Sequence, residues 1–172
     1  EGKKINVIAK GFQHQFWKAV EKGAMQAGKE YGVDVSFQGP DNESAIAQQV
    51  EYLDAAIAQQ PTAICLAALD TQASIGSIQN AMDKGIPIIG FDSGVPDAPE
   101  GGIKANASTN NYEAGKLAAK ETYALIKDKI EGASETVRIG VVAQESNSQS
   151  IVERTKGFVE AMTELIGADK VS

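Results

Sequence analysis

A short polar segment near the start of the chain contains side chains suited to binding a ligand. Residues 10–17 read KGFQHQFW and follow an apolar run. The segment supplies a cation, the only histidine and two adjacent aromatic rings: Lys10, His14, Phe16 and Trp17. Ammonium and imidazole groups form hydrogen bonds with ligand hydroxyls, and an aromatic face packs against the apolar C–H face of a sugar. The alternative is that Phe16 and Trp17 are the first core residues of a helix.

A second polar segment follows another apolar run. Asp92 and Ser93 come directly after residues 86–91, and Arg154 lies within the last helical pattern. Carboxylate and guanidinium groups each bind two hydroxyl groups at once, so these side chains would suit a polyhydroxylated ligand. Each also has a structural alternative: Asp92 caps a turn, Lys10 stays solvated, or Arg154 forms a surface ion pair.

The common catalytic and nucleotide-binding motifs are absent from the sequence. Residues 10–15 hold one glycine where a dinucleotide site needs three, and neither a phosphate loop nor a GxSxG motif occurs. Asp70 is placed as a receiver-domain phosphoacceptor would be, but Lys10 and Gly11 stand where that domain needs its magnesium-binding acids. The only cysteine, Cys65, is predicted to be a packing residue, and with a single histidine it cannot build a zinc site. We therefore predict a binding protein without enzymatic activity, cofactor or metal.

Composition restricts the class of protein further. The 172 residues are 42% hydrophobic, as in ordinary globular proteins, and the net charge of -7 argues against a nucleic-acid partner. No apolar run approaches the roughly 20 residues that span a bilayer. Residues 1–4 do not form a signal peptide, so we expect that one was never present or has been removed.

Apolar runs typical of buried strands alternate with helical patterns along the chain. Strands are expected at residues 5–9, 33–37, 63–67, 86–91, 103–107 and 137–143. This alternation predicts an α/β fold with a doubly wound parallel sheet and helices on both faces. Segments 10–17 and 92–93 would then lie at the carboxyl ends of strands, where such sheets bind ligands. Gly32 is expected to end the first helix, and Asp41 or Asn42 to cap the second.

The predicted domain boundary lies at residues 108–110. Residues 1–108 contain five predicted strands and are expected to form one complete unit, and residues 109–172 the incomplete start of a second. The one strand predicted in that second part, 137–143, would have open edges. We therefore expect the chain alone to dimerise or aggregate, and to bind sugar weakly.

In these segments the sequence resembles the type 1 periplasmic sugar-binding proteins, the ribose-binding-like solute receptors of ABC importers. The matching segments occur in family order: 10–11 with 14–17, 68–70, 85–89 with 92–93, 107–111 with 114–115, and 154–158. The resemblance implies flavodoxin-like lobes, a hinge crossing at Ser108 and Thr109, and a monosaccharide held between the lobes. It implies that residues 1–108 are the first ligand-binding lobe. It also implies delivery to an ABC transporter permease. The implied location is the periplasm or, through a lipid anchor, the outer face of the cell membrane.

The resemblance also implies roles for the candidate residues. Asp92 would grip sugar hydroxyls, and Arg154 would reach the sugar from the second lobe. The residues after the first strand would line the cleft: Lys10, His14, Phe16 and Trp17. Ser93 stands where many members have an arginine.

Three other functions stay open on the sequence. The effector-binding domains of lactose-repressor-type transcription regulators share the predicted fold, and a helix-turn-helix ahead of residue 1 would identify one. Lys10 followed by Asp92 also resembles the pattern in receptors for a furanosyl autoinducer. The third alternative is an interaction module without a small ligand.

Overall fold

The computed structural model describes residues 2–170, apart from the side chain of Asp169, and divides them into two compact units. Unit 1 runs to Ser108 and also includes Asn147–Gln149, whereas unit 2 contains the other described residues. The division after Ser108 falls where the sequence places the boundary. The assignment of the units as ligand-binding lobes stays a prediction.

Unit 1 is a parallel sheet flanked by helices. Its elements are β1 (Lys4–Ile8), α1 (Gln15–Tyr31), β2 (Asp34–Gln38), α2 (Ile46–Ala58), β3 (Ala63–Leu66), α3 (Ile75–Asp83), β4 (Ile88–Phe91) and β5 (Ile103–Ala107). The five strands stand in the order β2-β1-β3-β4-β5, and every neighbouring pair is parallel. The predicted doubly wound parallel sheet is confirmed. Because β2 and β3 lie on opposite sides of β1, the strand order reverses between β1 and β3, where such sheets form ligand crevices.

Apolar side chains cover both faces of the sheet. Ile8 packs in a cluster with Leu53 of α2 and Ile78 of α3. Its neighbour Ala9 belongs to a separate cluster with Trp17 of α1. Successive residues of a strand point to opposite faces, so α1 covers one face and the pair α2 and α3 covers the other. The sheet is thereby a rigid platform for the loops at its carboxyl edge.

Glycine ends the first helix as predicted, but the predicted cap of the second helix is wrong. Gly32 follows α1 with φ of 64°, the left-handed conformation that glycine adopts without strain. Neither Asp41 nor Asn42 caps α2, because its N-cap is Ala45, which makes no side-chain cap hydrogen bond. The Asn42 side chain instead accepts a hydrogen bond from the backbone N–H of Ser44 at 3.0 Å. This local turn delays the start of the helix.

Unit 2 is built on two helices, α4 (Asn111–Glu131) and α5 (Gln149–Ile166, of which Gln149 lies in unit 1), followed by a 3-10 turn at Ala168–Lys170. The helices approach closely where small residues face the partner backbone. A side chain on Gly157 would overlap the carbonyl of Tyr112, and one on Gly115 would overlap the carbonyl of Arg154. Glycine at both positions therefore sets the distance between the helices.

The strand predicted at residues 137–143 is wrong for this structure. The segment has no regular secondary structure, and Val142 is 98% exposed. A strand exists only where a neighbour exchanges backbone hydrogen bonds with it. No strand within residues 2–170 pairs with this segment, so its apolar pattern alone does not produce one.

Candidate ligand-binding site

A cation and a carboxylate meet at the carboxyl edge of the sheet in unit 1. Lys10 follows β1 and Asp92 follows β4, and the Lys10 ammonium lies 3.0 Å from Oδ2 of Asp92. The ammonium also donates to Oγ of Ser93 at 3.1 Å, and that hydroxyl lies 3.3 Å from the same carboxylate oxygen. The structure thus brings together three of the residues predicted from sequence, although β3 lies between their strands.

Burial shields the charges of this polar cluster from solvent. The Lys10 side chain is 6% exposed and that of Asp92 is 24% exposed, so water screens their attraction only in part. Opposite charges in contact leave the pair without net charge. Both contacts of Asp92 use Oδ2, which leaves Oδ1 as an acceptor for a ligand hydroxyl.

The backbone at Asp92 forms a tight turn that places its carboxylate against Lys10. Asp92 has φ of 58°, a left-handed conformation that costs most residues about 1–2 kcal/mol. Its N–H donates to the carbonyl of Ala107 at 3.0 Å, and the N–H of Ser93 donates to the carbonyl of Phe91 at 2.6 Å. The tight turn directs the carboxylate toward Lys10.

The two adjacent aromatic residues lie in different environments. Trp17 is 2% exposed, and its indole N–H donates to Oε1 of Glu43 at 2.8 Å. Phe16 is 48% exposed and meets the Trp17 ring edge to face, with 4.8 Å between ring centroids. The Lys10 ammonium lies 5.9 Å from the centroid of the Trp17 ring. The Phe16 ring is therefore accessible to a ligand, whereas the buried Trp17 ring packs against Phe16 and lies beside Lys10.

The only histidine begins the helix that carries these rings. His14 is the N-cap of α1, and its Nδ1 accepts a hydrogen bond from the backbone N–H of Phe16 at 3.1 Å. That contact satisfies one of the backbone donors that every helix start leaves unpaired. The structure thus gives His14 a positioning contact to Phe16, and its predicted contact with a ligand stays a prediction.

Arg154 belongs to unit 2 and has a partner within that unit. Its Nη2 donates to Oδ1 of Asn111 at 2.5 Å, and the amide nitrogen of Asn111 donates to the carbonyl of Thr109 at 3.1 Å. Asn111 is buried at the first position of α4. These contacts tie α5 to the start of α4, and the predicted role of Arg154 at a sugar stays a prediction.

Two residues of the site were not predicted from sequence. Glu43 holds the Trp17 indole, and Gln49, 3% exposed, bonds to the main chain beyond β1 and β3. The sequence does contain a signal for Gln49, since this amide stands within the apolar stripe of α2 between Ile46 and Leu53. No comparable signal marks Glu43, which lies in a polar turn.

Among the described residues, neither a reactive thiol nor a metal-binding cluster competes with this site. Burial raises the pKa of the Cys65 thiol above its ordinary value, so less of the reactive thiolate forms, in keeping with the predicted packing role. Across residues 2–170, His, Cys, Asp and Glu side chains nowhere gather in a group that could hold a metal ion. No helix in the described part of the chain is long and apolar enough to cross a membrane.

Comparison with known proteins assigns the family. The family model described as a periplasmic binding protein domain matches residues 5–171, so the chain belongs to this family. The family resemblance read from segments 10–17 and 85–93 is confirmed.

Solved structures and one curated relative are similar to most of this chain. A Brachyspira murdochii protein described as an ABC transporter, LacI family transcriptional regulator is 39% identical, with a TM-score of 0.82 over 95% of this chain and 52% of that one. An ABC transporter solute-binding protein from Agrobacterium vitis with bound D-fucose is 31% identical, with a TM-score of 0.84 over 94% of this chain and 53% of that one. The D-apiose import binding protein of Actinobacillus succinogenes is 23% identical over 93% of this chain and 48% of its own length. The chain thus spans about half the length of these relatives.

Proposed function

We propose that this chain is part of an extracytoplasmic solute-binding protein that captures a monosaccharide and delivers it to an ABC transporter. The observation that carries the proposal is the buried contact of Lys10 with Asp92 and Ser93. The centroid of the Trp17 ring lies 5.9 Å from the Lys10 ammonium, and the same ring also meets the exposed ring of Phe16. A sugar needs hydrogen-bonding groups for its hydroxyls and an apolar surface for its C–H face. These residues supply both at one edge of the sheet.

The electrostatics of the cluster favour a neutral ligand. The Lys10 ammonium is already paired with the Asp92 carboxylate at 3.0 Å. The Asp92 carboxylate would therefore repel an anionic ligand, and this cluster contains no second cation to offset the repulsion. A hydroxyl group, in contrast, can donate to Oδ1 of Asp92 without adding a charge. We therefore propose that neutral sugars bind and that sugar phosphates do not.

The relatives named above include a solute-binding protein with bound D-fucose and a D-apiose import binding protein, and we propose that this chain likewise binds a sugar without transforming it. Among the described residues, the site holds no nucleophile paired with a free general base. The Ser93 hydroxyl contacts the Lys10 ammonium and the Asp92 carboxylate, and that carboxylate is itself paired with Lys10. Transport rather than chemistry is the function that this arrangement serves.

Calorimetric titration of the full-length protein is the test. The panel contains D-fucose, D-arabinose, D-tagatose, D-apiose and D-galactose, with D-glucose 6-phosphate as the anionic control. We expect at least one neutral sugar to bind and the phosphate not to bind. Asp92→Ala should weaken binding about tenfold to a hundredfold, because a charge-assisted hydrogen bond contributes about 1.5–3 kcal/mol. Asp97→Ala, at an exposed acid of the same loop, is the matched control. Turnover of a sugar, or tight binding of the phosphate alone, would contradict the proposal.

A second candidate function is the effector-binding domain of a transcription regulator. It is favoured by the printed description of the Brachyspira murdochii relative, which names both classes. Sugar binding is expected in either case, so cell fractionation of the full-length protein distinguishes them. Recovery outside the cytoplasm supports the transport receptor, whereas recovery with DNA supports the regulator. A furanosyl autoinducer, added to the titration panel, tests a further alternative for the same site.

A further inference from the structure

Gln49 makes an unusual set of contacts for a buried amide. It lies in the first turn of α2, and its Nε2 donates to the carbonyls of Ala9 at 2.9 Å and Ala67 at 2.8 Å. Its Oε1 accepts from the N–H of Leu69 at 2.8 Å. The residue is 3% exposed. One side chain therefore joins three points of the main chain that do not otherwise form a strand pair.

These contacts lie where the β1–β3 ladder ends. The last paired residues are Ile8 and Leu66, and one more backbone bond follows, from the N–H of Ala67 to the carbonyl of Ile8 at 2.9 Å. Beyond it the two segments separate, because β1 leads to α1 and β3 leads to α3, which cover opposite faces of the sheet. Gln49 fills this gap and continues the cross-link between the two strand ends by one step.

The contact with Ala9 bears directly on Lys10, the next residue. The N–H of Ala9 donates to the carbonyl of Gln38 in β2 at 2.8 Å, and its carbonyl accepts from Gln49. Ala9 is thus held from both sides. The backbone from which the Lys10 side chain extends toward Asp92 is fixed by this pair of contacts.

We propose that Gln49 is a positioning residue of the ligand site, which sets the place of the Lys10 ammonium by holding Ala9 against the loop after β3. Both N–H groups of the amide are already donated, so Gln49 acts on a ligand through Lys10 rather than by contact. The consequence for sugar affinity rests on the proposed function, whereas the consequence for Lys10 does not. The competing explanation is that Gln49 only adds to overall stability, as any satisfied buried amide does.

The first experiment measures Lys10 without a ligand. Gln49→Met keeps the size of the side chain and removes its hydrogen bonds. Leu53→Ala, one turn further along α2 at a fully buried position, is the matched control that loses stability without touching the site. Acetylation of each lysine by a water-soluble reagent is followed by mass spectrometry under conditions in which Trp17 fluorescence shows both proteins folded.

We expect the Lys10 acetylation rate to rise at least about tenfold in Gln49→Met and to change little in Leu53→Ala, because a local opening exposes Lys10 without global unfolding. Equal rates in the two variants, or an unchanged rate in Gln49→Met, would overturn the proposal. Gln49→Asn, which is too short to span the same groups, provides the same comparison if the methionine variant does not fold.

The second experiment uses the full-length protein with D-fucose as the probe. Affinities are measured for Lys10→Met, Gln49→Met and the double variant. If Gln49 acts through Lys10, the double variant binds about as weakly as Lys10→Met alone, whereas independent roles give additive losses. Additive losses would overturn the proposal for the ligand site. If none of the proteins, wild type included, binds D-fucose or any panel sugar, the proposed function fails and the acetylation result still decides the positioning role.

Discussion

Substitutions of Asp92 separate the ion pair from the backbone strain at this residue. Asn accepts left-handed backbone readily and keeps the size of the side chain, so Asp92→Asn removes the charge alone. A charge-assisted hydrogen bond contributes about 1.5–3 kcal/mol and a neutral one about 0.5–1.5, so this variant should lose about 1–1.5 kcal/mol of unfolding free energy. Ala also carries the cost of φ at 58°, and Asp92→Ala should lose about 1–2 kcal/mol more.

The assay is urea denaturation followed by the fluorescence of Trp17, the only tryptophan, which reports on unit 1 because it is buried beside Lys10. Asp97→Asn is the control, since this exposed carboxylate bonds only to the Gln72 amide and its loss should stay within about 0.5 kcal/mol. If Asp92→Asn matched the wild type while Asp92→Ala alone were destabilised, the contact with Lys10 would contribute nothing and the reasoning would be refuted.

Three further predictions concern the aromatic pair, two glycines and one tyrosine. Phe16→Ala should weaken sugar binding by the full-length protein about tenfold at unchanged melting temperature, whereas Trp17→Phe should lower the unfolding free energy by about 1–3 kcal/mol. Titration checks the first, and urea denaturation followed by far-ultraviolet circular dichroism checks the second, because Trp17→Phe removes the only fluorescent indole. The reverse pattern would exchange their roles. In α1, Gly23→Ala should stabilise by about 0.5–1 kcal/mol because nothing lies within 4 Å of its added carbon. Gly28→Ala should destabilise by about 1–3 kcal/mol because the added Cβ would lie 2.8 Å from a side-chain atom of Val35 in β2. Equal effects of the two variants would contradict the close packing of α1 on β2. The hydrogen bond from its hydroxyl to the Glu160 carboxylate raises the pKa of Tyr112. The unfolded chain therefore loses this proton at a lower pH than the folded protein, and stability should fall as pH rises past the ordinary tyrosine range. Ultraviolet titration should show one late-ionising tyrosine, which should be absent in Tyr112→Phe.

The sheet could be predicted from the sequence because parallel strands are buried on both faces. Such strands appear as continuous apolar runs, and the run predicted at 63–67 contains β3 (Ala63–Leu66). Gly32 likewise marked the end of α1, because the left-handed conformation there favours glycine over other residues. These features depend on neighbouring residues in the chain, and a single sequence records them directly.

The candidate site was predicted only in outline. Lys10 and Asp92 were identified by residue type and by their place after strands, but nothing in the sequence shows that their side chains meet. That contact depends on the order of β1, β3 and β4 in the sheet, which brings together residues far apart in the chain. The polar contacts of Gln49 depend on the same arrangement, because its three partners follow two strands, β1 and β3, that are distant in the chain.

Tertiary structure alone decided the roles of adjacent residues and of unpaired segments. Phe16 and Trp17 are equally aromatic, yet successive residues of a helix point about 100° apart, so one faces the sheet and the other faces solvent. Segment 137–143 has the composition of a strand, but it forms none among the described residues because a strand needs a partner for its backbone hydrogen bonds. The sequence by itself determined which segments favour strands and helices and which side chains could bind a ligand. Which of those side chains meet depends on contacts between distant segments, which only the folded sheet supplies.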